Sequence, residues 1–151
     1  MSKPDWSAFK GAKGRIRRLR ILGSTEKPMY KPPPEEECHC ETFVFHPTGR
    51  ENDPIKLHVR FMQYQGKIVD FSINQVFVLD GISHDIARID TAHGTIHRHQ
   101  FFPRRQQVRT VITEIPVDDG WNVVDKGYDN ALDVMQDEWD DNLRRWNSDR
   151  A

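Results

Sequence analysis

Arg88, Asp90, His93, His97 and His99 lie within twelve residues of one another, in the stretch Arg-Ile-Asp-Thr-Ala-His-Gly-Thr-Ile-His-Arg-His. These residue types move protons and hold phosphate. An imidazole titrates near neutral pH and serves as acid or base, a carboxylate can fix its tautomer, and a guanidinium matches phosphate oxygens with a fork of donors. Cleavage of RNA through the ribose 2′-hydroxyl needs such a set. One group removes the hydroxyl proton, another protonates the leaving 5′-oxygen, and a cation covers the phosphate as charge builds up. In this reading two of His93, His97 and His99 supply base and acid, Arg88 stabilises the charge and Asp90 orients one imidazole. No metal or other cofactor is required.

A hairpin has to position these side chains. Two alternating runs, 85–91 and 95–102, are separated by Ala92-His93-Gly94, which reads as two strands and a tight turn. Gly94 supplies the positive φ such a turn needs. An even-length turn puts Asp90 opposite His97 and Arg88 opposite His99, with His93 at the tip. Ile86, Arg88, Asp90, His97, His99 and Phe101 then share one face, and Ala87, Ile89, Thr91, Ile96, Arg98, Gln100 and Phe102 the other. An odd-length turn would separate Asp90 from His97 and dissolve the cluster. The same residues admit two further readings. His97 and His99, two apart on a strand, together with Asp90 form a two-imidazole, one-carboxylate set that suits iron or another divalent ion. Alternatively, Arg88 and Asp90 form a surface ion pair with solvated histidines around it.

The rest of the chain supplies the scaffold. Its 151 residues, 36% hydrophobic, suffice for one domain with one core and a tail. No apolar run approaches the ~20 residues of a membrane span, and the basic start lacks the apolar segment of a secretory signal. The expectation is a soluble, cytoplasmic protein without membrane partners. Residues 1–37 read as a flexible basic tail ending in Lys31-Pro-Pro-Pro and Glu35-Glu-Glu, an extended linker. Within it Lys10, Lys13, Arg15, Arg17, Arg18 and Arg20 form a candidate nucleic-acid-binding arm. Cys38-His39-Cys40 lacks the second ligand pair of a structural zinc site and reads as a thiol-containing lead into the first strand.

Residues 38–151 read as a single α+β domain. Thr42 to Phe45 is a strand, and 54–64 alternates with Ile55, Leu57, Val59 and Phe61 on one side and Lys56, His58, Arg60 and Met62 on the other. After Gln65-Gly66 come 68–73 and then 75–79, Asp80-Gly81 turns into the hairpin, and 107–115 resumes the sheet. About six strands with short connections predict an antiparallel meander. From about Val123 the period changes. Tyr128, Leu132, Met135, Trp139, Leu143 and Trp146 make one stripe on a long helix, with Asp129, Asp133, Asp137, Asp140 and Asp141 on other faces. That helix is expected to cover one face of the sheet.

The run from Arg88 to Gly94, followed by His97-Arg98-His99, resembles the Arg-aromatic-Asp-Asn-Ala…His…His-x-His signature of TumE-like toxins, with Ile89 where an aromatic is usual and Thr91 for Asn. The match spans about a dozen residues. The resemblance implies a compact α+β protein that cleaves RNA and is encoded beside a helix-turn-helix antitoxin. It implies Arg88, Asp90, His93, His97 and His99 as the functional set. The competing expectation is a non-enzymatic module of phage or bacterial origin that binds nucleic acid through its tail or a protein through its acidic helix.

Overall fold

The computed structural model describes residues 28–150. Six strands follow in chain order, β1 (His39–Phe45), β2 (Ile55–Tyr64), β3 (Lys67–Leu79), β4 (Ile82–Ala92), β5 (Thr95–Gln100) and β6 (Val108–Glu114), and then one helix, α1 (Gly120–Ser148). Each strand pairs antiparallel with the next, so spatial order equals chain order and the sheet is a meander. Two-residue turns join β2 to β3, β3 to β4 and β4 to β5. The last of these has His93 at φ 52° and Gly94 at φ 75°. Positive φ at both central positions makes a turn whose twist matches that of the flanking strands. No helix among the described residues is long and apolar enough to cross a membrane.

Alternation divides the sheet into a covered and an open face. Leu57, Val59, Phe71, Ile73, Ile89 and Ile96 point under α1 and pack with Val124, Tyr128, Ala131, Met135 and Trp146. The helix lies mainly on β3, with fewer contacts to β4 and β5. Its buried stripe is centred on Ala131, Met135 and Asn142, with Leu132 and Trp139 flanking it. The helix begins at Gly120, earlier than the periodicity predicts. There a Cβ would come 2.2 Å from the Tyr30 ring, so only glycine admits that contact.

Three expectations are corrected. Residues 68–79 form one continuous strand, because Asn74 stays in the ladder and turns its side chain to Asp85, 2.9 Å away. The flexible stretch does not extend to residue 37: Tyr30 is only 7% exposed, sits in the core and donates its hydroxyl to the Val69 carbonyl at 2.6 Å. Ile86 does not share the face of Arg88. The register passes from Gln75↔Ala87 to Val76↔Asp85, leaving Ile86 as an extra residue that is fully buried in the core. Two similar shifts leave Val69 on β3 and Ile112 on β6 as extra residues. The basic arm from Lys10 to Arg20 lies outside the described residues.

Candidate functional site

The turn at His93-Gly94 has even length, and the register it sets is Asp90↔His97 and Arg88↔His99. The cluster therefore exists on one face, the one α1 leaves uncovered. Its members differ sharply in what they can do.

His97 is 2% exposed. An Arg109 N–H donates to its Nε2, which must therefore be the bare nitrogen. Thr95 Oγ1 lies 3.1 Å from Nδ1 and 2.9 Å from Nε2. Only Nδ1 is free to donate to it, while the threonine hydroxyl donates onward to the Ala92 carbonyl at 3.0 Å. The result is a neutral imidazole inside a continuous donor chain. Burial, and after it the Arg109 guanidinium, push its pKa from 6.5 down to about 4, against a weaker opposing pull from Asp90. A ring so placed organises the hairpin and does not exchange protons near neutral pH. It also cannot present Nε2 to a metal while Arg109 occupies that lone pair. The His97, His99 and Asp90 metal set accordingly does not form, and no cluster of three or more potential ligands occurs among the described residues.

His99 is different. Its Nε2 lies 3.1 Å from Asp90 Oδ1, with the side chains 13% and 18% exposed. The carboxylate fixes Nε2 as the N–H donor. Nδ1 faces Gln107 Oε1 at 2.7 Å. Gln107 is an exposed residue just before β6, and its amide can present either oxygen or nitrogen. When it turns away, Nδ1 becomes the open position of an oriented imidazole. The ring stacks on Phe101, with centroids 5.9 Å apart and planes within 2°.

Arg88 lies 5.1 Å over the same Phe101 ring. Its Nε is buried without a hydrogen-bond partner, and no carboxylate pairs with its guanidinium among the described residues. An arginine in this state is a cation that has not been neutralised by the fold. His93 is exposed at the turn, six residues before His99, and the run from Thr95 to His99 alone spans about 13 Å along the strand, so His93 does not share the His99 site.

Other residues of this face escaped sequence reasoning. Arg109 and Thr95 hold His97, and Gln107 holds His99. Gln107 and Arg109 both follow the bend at 103–105 that interrupts the pattern after Phe102, so their phase could not be counted through from β5. The covered face carries its own polar network, equally unforeseen. Asn142, fully buried, donates to Gln75 Oε1 at 3.1 Å and accepts from Arg98 and Arg145, each at 3.0 Å. Arg98 also pairs with Glu138 at 3.0 Å.

Fold and site together define an α+β domain in which one face of a six-stranded meander is packed and the other is open and polar. Residues 42–151 match the family described as a domain of unknown function, DUF7718, and the chain belongs to that family. No curated protein and no solved structure matches it.

Proposed function

We propose that the open face is an RNA site and that His99, Asp90 and Arg88 cleave the phosphodiester through the neighbouring ribose 2′-hydroxyl. The observation that carries this reading is the Asp90–His99 contact at 3.1 Å beside an arginine with no ionic partner among the described residues. Asp90 holds the imidazole with Nε2 as donor, and Nδ1, released by Gln107, takes the 2′-hydroxyl proton. The 2′-oxygen attacks phosphorus, the bond to the 5′-oxygen breaks, and water protonates the leaving oxygen. Arg88 spans the phosphate oxygens as charge accumulates on them. This assigns one histidine where the sequence offered three, with His97 as a positioning residue. The toxin setting and a helix-turn-helix partner enter the reading through the resemblance at Arg88–His99 alone.

A second reading, RNA binding without cleavage, is favoured by the saturation of His99: both of its nitrogens are engaged. One experiment separates the two. Purified protein is incubated with mixed RNA, and products are resolved for wild type, His99→Ala, Arg88→Ala and His93→Ala. Cleavage by the first reading falls at least about 100-fold in His99→Ala and Arg88→Ala and is unchanged in His93→Ala. Intact RNA with wild type, alongside retained binding, leaves the second reading standing and sinks the first.

A further inference from the structure

The register of the whole sheet places the Arg88–His99 pair in a longer line. Val44 is opposite His58, His58 opposite Asn74, Asn74 opposite Arg88, Arg88 opposite His99, and His99 opposite Arg109. These six side chains form one row at right angles to the strands, across all six of them and on the open face. The row contains no carboxylate. The adjacent row, Thr42, Arg60, Ser72, Asp90, His97 and Val111, contains one, and Asp90 is already engaged by His99. Arg60 in that second row is answered by Asp70 at 3.1 Å.

The β1–β3 end of the two rows is hollow. A depression of about 390 Å³ opens between Thr42, Val44, His58, Arg60, Ser72 and Asn74. His58 is exposed on its wall, and Asn74 Oδ1 is left without a partner among the described residues, its amide being held by Nδ2 donating to Asp85. The first row therefore carries two imidazoles, His58 and His99, two guanidiniums, Arg88 lying on Phe101 and Arg109, and the Asn74 amide, with the Thr42 and Ser72 hydroxyls beside them in the second row. Planar groups offer stacking surfaces and cations offer phosphate contacts, the combination that binds single strands irrespective of sequence.

We infer that an extended single strand of RNA lies across the sheet along this row, from Arg109 and His99 at one end to His58 and Val44 at the other. The inference rests on the reading of the open face as an RNA site and adds a direction, a length and a strandedness to it. Five strand spacings cover roughly 24 Å, room for about four nucleotides, at the short end of single-strand footprints. The cleavage centre then sits near one end of the track, and the depression receives the nucleotides at the other.

The test uses the full chain and 2′-O-methyl RNA, which binds without being cut, in lengths of about two to eight nucleotides, with fluorescence anisotropy as readout. Affinity is expected to rise to about four nucleotides and then level off. His58→Ala and His58→Glu, exposed substitutions on the same face but two strands from Arg88, are expected to weaken the four-nucleotide probe at least about tenfold and leave the two-nucleotide probe unchanged, with circular dichroism reporting the fold. Affinity that does not grow beyond two nucleotides, or that ignores His58→Glu while falling in Arg88→Ala, overturns the track and leaves the RNA site intact. Equal affinity for duplex RNA, or displacement by polyglutamate at equal charge concentration, overturns the single-strand assignment. Failure to bind any RNA overturns the underlying site as well.

Discussion

Arg98 and Arg88 stand on neighbouring strands of one hairpin and meet opposite fates. Arg98 points under α1, where Glu138 and Asn142 each meet it at 3.0 Å. Arg88 points away from the helix, lies on Phe101, and has no ionic partner among the described residues. Polar groups on the covered face are there to be satisfied by the fold, since an unpaired buried group costs stability. On the open face, Arg88 Nε and Asn74 Oδ1 are buried without a hydrogen-bond partner among the described residues, so bonding capacity is left over there. That contrast distinguishes a structural network from a binding surface more sharply than residue type does.

The contrast can be broken by measurement. Asn142→Ala strips Gln75, Arg98 and Arg145 of a shared partner and should lower the unfolding free energy by about 3 kcal/mol in denaturant titration. Next comes acid. His97 is favoured in its neutral form by the fold, so the unfolded chain binds more protons in the window between about 4 and 6.5. Stability is therefore full above about pH 6.5 and falls by roughly 3 kcal/mol at most as pH drops to 4, a slope that His97→Gln should flatten relative to wild type. Tyr30→Phe removes the hydrogen bond to Val69 while keeping the packed ring, at a cost of about 1 kcal/mol. Arg88→Ala should change stability by less than about 0.5 kcal/mol. If Arg88→Ala proves as costly as Asn142→Ala, the open face is part of the structural framework and the distinction between the faces falls.

Much of the fold could be read from the chain because its rules are local. Alternation in Ile55 to Phe61 and the glycine-bearing turns specify a meander, and the turn at His93-Gly94 specifies the pairing of Arg88 with His99. What stayed hidden depends on chain segments far apart in sequence. The burial of His97 comes from Arg109 on the next strand, and nothing in its own run separates it from the more accessible His99. Asn142 falls beside the predicted apolar stripe, between Trp139 and Leu143, and its role shows only when Gln75, 67 positions away, comes opposite it. The row from Val44 to Arg109 follows from counting strand phases across five pairings. Its polar β2 member, His58, was visible together with Arg60 of the adjacent row as one side of an alternating strand.

The extra residue at Ile86 works as a change of reading frame. Past it, odd positions of β4 such as Ala87 and Ile89 face the helix; before it, even positions do, and His84 reaches the Trp146 ring at 5.1 Å while Asp85 turns to Asn74 on the open side. Force that isoleucine into regular pairing and the first half of the strand is read in the other phase: a carboxylate is driven beneath Trp146 and an imidazole out to solvent. Straightening the bulge would thus be felt as a buried charge, whereas deleting Ile86 outright keeps Asp85 and His84 in phase and forfeits only the buried side chain.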